Sequence, residues 1–252
     1  MSAGLPALAG VAPAGIDHVE LQLGDRAAPP GDETSAALAQ AGVATAAVSV
    51  GGLGDWDAAL RLAEALASPL LVVAPAPPGD GGDPDDERWL VHAGGVVDRL
   101  VRLQRDAGDA VAVAVEMPRR GTLTSTVEQH RALSRLLVRH RLMLSADVRE
   151  VAAVGLRVNE LWRYFASRIA HIRVTPPALE ERPARDDALD GGTAAGGVDL
   201  EQWRRLAAMY GYPGRWAIPI GNGAASQVQD VQRAAAWMGG RLAGVLATTA
   251  AT

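Results

Sequence analysis

Strand-length apolar runs recur along this chain, and a helical pattern follows nearly every one. His18–Leu23 (HVELQL) alternates apolar and polar residues. Thr45–Val50 (TAAVSV), Leu70–Ala74 (LLVVA), Val111–Glu116 (VAVAVE), Leu142–Asp147 (LMLSAD), Ile169–Thr175 (IAHIRVT) and Trp216–Ile220 (WAIPI) continue the series. Gly, Pro or Asp bounds these runs, as expected of strands. Helical patterns lie between them at Glu33–Ala41, Asp55–Ala67, Asp85–Ala107, Thr124–His140, Asn159–Arg168 and Asp199–Tyr210, and Gln227–Met238 closes the series. Asp55 and Thr124 are placed as N-caps, and Gly42 and Gly108 as stops.

Such alternation predicts a parallel sheet. Its period is close to that of a (β/α)8 TIM barrel of the usual ~250 residues; a doubly wound sheet is the alternative. The front of the chain is short for this purpose. Ala3–Pro13 is barely long enough for a first strand and helix, so the first β/α unit is trimmed or the barrel is open there. Residues 1–252 read as one barrel domain. Within it, Pro176–Gly197 has no period and is rich in Pro, Asp, Glu and Gly, which reads as a flexible loop or lid.

Composition removes whole classes of chemistry. There is no cysteine, which excludes disulfides, thiolate nucleophiles and cysteine zinc sites. Lysine is absent too, so no Schiff base can form on the protein and a Walker phosphate loop lacks its lysine. What is left is carboxylate, histidine, hydroxyl, arginine or metal chemistry. The net charge of -5 disfavours nucleic acid as a partner. No apolar run reaches the ~20 residues that span a bilayer, and the start lacks the basic segment of a secretory signal. The expectation is a cytoplasmic protein with no membrane partner.

Side chains alternate across a strand. His18, Glu20 and Gln22 therefore share one face of the first run. Ser145 shares a face with Asp147, and His171 with Arg173, while Glu116 lies opposite the valines of its own run. In a barrel these polar faces look inward, and reacting groups gather at the C-terminal strand ends. Glu116, Asp147 and Arg173 are the candidate catalytic residues on this ground. A plainer reading competes with it: a strand-end carboxylate often only caps the next helix, and an inward Arg–Glu pair can be structural.

In order along the chain, GIDHVEL (Gly15–Leu21), AGVATAAVSV (Ala41–Val50), the strand ends at Glu116 and Asp147, and the late stretch GGVD (Gly196–Asp199) with GYPGRW (Gly211–Trp216) resemble the xylose isomerase-like TIM barrel family, which includes sugar-phosphate isomerases and epimerases. The resemblance implies a divalent metal held by two glutamates, an aspartate and a histidine, with the glutamates moving a proton beside the substrate carbonyl. Only Glu116 and Asp147 match that set. The histidine position falls on Arg173, the last glutamate on Pro219, and a second histidine on Glu150. His171 lies two residues from the expected ligand, on the same face.

The expectation is that Arg173 stands in place of the metal and pairs with Glu116 and Asp147, so that no cofactor is needed. A divalent metal on Glu116 and Asp147 is the alternative. The implied function is a divergent isomerase or epimerase acting on a small polar or carbonyl-bearing metabolite by acid/base chemistry, with a lyase reaction also open. His18, Glu20, His171 and Arg119 are the expected substrate-binding residues. The competing function is an inactive relative that binds a metabolite or stabilises a partner subunit; a homo-oligomer is compatible with either. An abasic-site endonuclease of the same fold would need more histidine ligands and a basic face. Arg119-Arg120 past Glu116 forms either an anion site or a solvated loop.

Overall fold

The seven strand-length runs of the alternation form a parallel ladder among the described residues. The computed structural model describes residues 18–23, 28–52, 54–78, 83–140, 142–174, 199–212, 215–217 and 219–220. The strands are β1 (His18–Gln22), β2 (Ala44–Val50), β3 (Leu70–Val73), β4 (Ala112–Glu116), β5 (Met143–Asp147), β6 (Ile169–Arg173), β7 (Arg215–Ala217) and β8 (Pro219–Ile220). They form one sheet in the order β7-β6-β5-β4-β3-β2-β1-β8, parallel throughout.

The last two segments explain how the sheet becomes a barrel. β7 pairs with β6 through His171 and Arg215, whereas β8 pairs with β1 through Glu20 and Pro219. One residue separates them, so the final run of the chain leans on the sixth strand with its first half and on β1 with its second. The wall is a nearly closed TIM-type α/β barrel with seven positions among the described residues. The expected gap at the front is bridged, because β1 meets the final run directly. Ala3–Pro13, Pro176–Gly197 and Gln227–Met238 lie outside the described residues, as do residues 15–17, 196–198 and 213–214 of the family-like stretches.

Helices α1 (Gly31–Ala41), α2 (Trp56–Ala65), α3 (Glu87–Ala107), α4 (Val127–Val138), α5 (Val148–Val154), α6 (Val158–Phe165) and α7 (Leu200–Met209) connect the strands. A short 3-10 turn, Ala166–Arg168, follows α6. α3 shows why these segments are helical: Trp89, Ala93, Val97, Leu100, Leu103 and Ala107 recur at three- and four-residue spacing and are all buried. They pack against the outward residues Val48, Val50, Leu71, Val73, Val113 and Val115 of the strands. A second cluster around Trp162, Trp203, Ile172 and Val174 covers β6. Trp56 and Trp89 are buried as well, so four helical tryptophans pack under the helices among the described residues.

Two helix starts differ from expectation for one physical reason each. Thr124 does not cap α4. It is buried and its amide donates to the Thr122 hydroxyl oxygen, while Thr126 and Gln129 form a reciprocal capping box two residues later. α5 was not expected at all. It starts immediately after β5 because the Asp147 carboxylate accepts from the amides of Arg149 (2.9 Å) and Glu150 (3.3 Å), and it stops at Gly155 in the left-handed region. Asp55 caps α2 as expected. At the C-terminal end of the strands, Gly52 allows a close approach that no other residue would: a Cβ there would lie 2.1 Å from the Ala76 nitrogen. Among the described residues no helix is long and apolar enough to cross a membrane.

Candidate active site

Alternation sends Glu20 from β1, Glu116 from β4, Ser145 and Asp147 from β5, and His171 and Arg173 from β6 into the barrel. All six are buried. Register brings the last four together, with Ser145 opposite His171 and Asp147 opposite Arg173. An irregularity between Leu144 and Ser145 sets that register. Without it, the polar side chains of β5 and β6 would not lie level.

Arg173 is the centre of the arrangement. Its Nη2 and Nε both donate to the carboxylate of Glu20, the Nε bond being 3.1 Å. Its Nη1 reaches Glu116 Oε1 at 2.7 Å. One guanidinium thus ties β1, β4 and β6 together across the interior. Ser49 on β2 donates to Glu20 Oε1 at 2.5 Å. The second oxygen of Glu116 accepts from Arg119 Nη1 at 2.8 Å. The chain of charges is therefore Glu20, Arg173, Glu116, Arg119, alternating in sign.

The expected pairing of Arg173 is corrected in one partner. Glu116 pairs with it as expected. Glu20, expected only to line the substrate site, is its two-pronged partner instead. Asp147 caps α5 with Oδ1 and adds its field to Arg173 from the next strand. The geometry explains the exchange: the α5 amides hold the Asp147 carboxylate, while the closure of β1 onto the final run brings Glu20 within reach of β6.

Electrostatics follow from burial and pairing. Burial pushes the Glu20 carboxyl upward, but the charges of Arg173 and His171 and the bonds from Arg173 and Ser49 outweigh it and hold the group below its ordinary value. Burial works against the Arg173 cation, and Glu20 and Glu116 more than offset it, so this guanidinium stays charged. His171 goes the other way. Burial lowers it, Arg173 adds to that, and the opposing pull of Glu20 and Glu116 does not compensate. The neutral ring meets the Ser145 hydroxyl through Nδ1 at 3.1 Å. Its Nε2 lies 3.7 Å from Glu20 Oε2, too far for a hydrogen bond, and has no hydrogen-bond partner among the described residues. His18 begins β1 at the opposite end of that strand from Gln22 and is partly exposed.

A divalent metal does not fit these donors as they stand. Glu20, Glu116, Asp147 and His171 could each ligate one, but the Arg173 guanidinium already lies between the two glutamates. A metal would have to expel it, because a fixed cation repels another. Among the described residues no three His, Asp or Glu side chains are grouped to hold an ion. Glu20 is the residue whose importance sequence reasoning understated. The signal was present, since it is a glutamate between valine and leucine on an inward face.

No protein-family model matches this chain, and no curated protein matches it in sequence. Solved structures match it in fold. An L-ribulose 3-epimerase superposes with a TM-score of 0.67 at 16% identity, covering 96% of this chain and 89% of the other. A D-psicose 3-epimerase from Clostridium cellulolyticum H10, solved with D-tagatose, gives 0.63 at 15% identity over 90% and 89%. A family 2 AP endonuclease from Brucella melitensis gives 0.66 at 15% identity over 93% and 92%. The chain thus has the fold of xylose isomerase-like barrels, as its motif order implied. Both sugar epimerases and a nuclease share that fold, so the likeness alone fixes no reaction.

Proposed function

We propose that this protein is a divergent isomerase- or epimerase-like barrel that takes a small polar or carbonyl-bearing metabolite at the C-terminal ends of its strands and works without the divalent metal. The observation that carries this reading is Arg173, a buried guanidinium joined to Glu20 and Glu116 where three inward strands converge. Three of its five N–H groups serve the two glutamates. The others are oriented by those bonds and can steady an enolate or carboxylate oxygen of the substrate. Glu116 or Asp147 would carry the proton beside the carbonyl, with His171 as a neutral acceptor, and Glu20 and Arg119 would contribute to binding, whereas His18, expected to join them, starts β1 at the other end of the barrel. Two sugar epimerases among the fold neighbours support the substrate class. The net charge of -5 weighs against the nuclease alternative.

One observation favours a second reading, a catalytically inactive relative that binds a metabolite or supports a partner. Glu20, Glu116 and Arg173 satisfy one another and are shut away from solvent. A base engaged in this way is a poor proton carrier.

The deciding experiment incubates purified protein in D2O with a panel of ketoses and keto acids and follows exchange at the carbon beside the carbonyl by NMR. Exchange that persists after chelation, from protein without stoichiometric metal, is the expected result. Exchange only after Mn, Co, Mg or Zn is added would overturn the metal-free proposal. Binding without exchange of any compound would establish the inactive reading.

A further inference from the structure

Arg119 ends the row of charges and is the member of it that reaches solvent: its side chain is 32% exposed, whereas that of Glu116 is 2%. The loop around it is rigidly tied. The Arg119 amide donates to the Thr124 carbonyl at 3.3 Å, and its own carbonyl accepts from the Thr122 hydroxyl at 2.7 Å. Thr122 in turn is bonded to Thr124 and Ser125, and Thr126 starts α4 with its capping box. The backbone of Arg119 is thus fixed before any ligand arrives, and Glu116 fixes one arm of its guanidinium. Its Nε and Nη2 bond to nothing else among the described residues.

The neighbouring arginine differs. Arg120 is occupied by Glu150 through its amide (3.0 Å) and its Nε (3.3 Å). Glu116, by contrast, divides its charge between Arg173 and Arg119, so Arg119 is neutralised only in part. A pre-set guanidinium edge with spare donors matches a carboxylate or phosphate through two parallel bonds better than it matches a lone hydroxyl.

We infer that the ligand of this barrel mouth carries an anionic group, carboxylate or phosphate, and that Arg119 grips it. This rests on the reading that the mouth receives a small carbonyl compound, and it narrows that class to acids and phosphate esters. Calorimetric titration of the full chain with dihydroxyacetone, hydroxypyruvate and dihydroxyacetone phosphate tests it, since the three share a carbonyl and differ in charge. Wild type is expected to bind an anionic member about tenfold or more tighter than the neutral one, a difference typical of one charge-assisted pair. Whichever of the two anions binds tighter identifies the group.

Arg119→Gln should abolish that preference, Arg119→Lys should keep part of it, and Arg120→Gln should leave it intact. The lysine variant preserves the charge next to Glu116 and covers the case in which Arg119→Gln does not fold. Equal affinity of wild type for the neutral and anionic compounds would overturn the inference and leave the broader reading standing. A preference that survives Arg119→Gln would also overturn it. Binding of none of the three would overturn both, whereas selective anion binding without hydrogen exchange would support the inference and sink catalysis.

Discussion

Ala47, Leu70, Val72 and Ala114 pack together inside the barrel, with Ala112, Met143 and Ala170 against them. Two residues further along, β2, β4 and β5 turn Ser49, Glu116 and Ser145 inward, and with Glu20, His171 and Arg173 these form a polar layer, to which β3 adds only the small Ala74 that follows it. Both layers are largely closed to solvent, the polar one more completely, and they are held by opposite physics. In the apolar layer each side chain contributes roughly in proportion to the surface it hides, and neighbours stand in for one another. In the ionic layer every member depends on the rest, because a buried charge is tolerable only while its counter-charge is present. A layer of the second kind is poor evidence for stability and a better sign of a role beyond it.

The contrast can be broken most severely at Arg173. Arg173→Met leaves Glu20 and Glu116 buried and opposed, and should cost about 4 kcal/mol in urea unfolding. Replacing all three charges, as in Glu20→Leu, Arg173→Met, Glu116→Leu, should recover most of that loss. Failure to recover would mean that the ions are needed for the fold itself. Leu70→Ala in the apolar layer should cost about 3 kcal/mol, with no partner substitution that restores it.

Acidification separates the layers further. Glu20 is held below its ordinary value of 4.5, so its stabilisation is complete above that pH and is lost as the pH falls past it. His130 on α4 adds a slope at higher pH. Buried against Phe165 with neither ring nitrogen bonded among the described residues, it is lowered to about 4, chiefly by desolvation. Its contribution is present above the unfolded value of 6.5. It should fade by about 3 kcal/mol between there and pH 4. His130→Phe should make that region shallower, leaving the share that the likewise lowered His171 contributes, and should keep the drop below 4.5, which Glu20→Leu, Arg173→Met, Glu116→Leu in turn should reduce. The smallest effect belongs to Thr126→Ala, which removes the α4 cap and should cost about 1 kcal/mol at every pH.

The apolar layer and the strands that carry it were legible in the sequence, because period-two alternation is local. Each expected strand is present within a residue or two. The identities of Glu116 and Arg173 as inward partners were legible for the same reason. What could not be read was the pairing across the interior. Glu20 and Arg173 are far apart in sequence, and their contact depends on the final run closing onto β1. The loss of Asp147 to α5 was hidden by a helix too short to show a period. Arg119 was recognised as either an anion site or a solvated loop, and only its bond to Glu116 shows that it belongs to the charged row.

That closure has a consequence for size. A bore grows nearly in step with the number of its staves, so one with seven is about an eighth slimmer than the usual eight. Small linings such as Ala47, Ala112 and Ala114 suit such a tight tube. So does a flat, edge-bonding guanidinium, which occupies less width than an ion surrounded by its full shell of ligands.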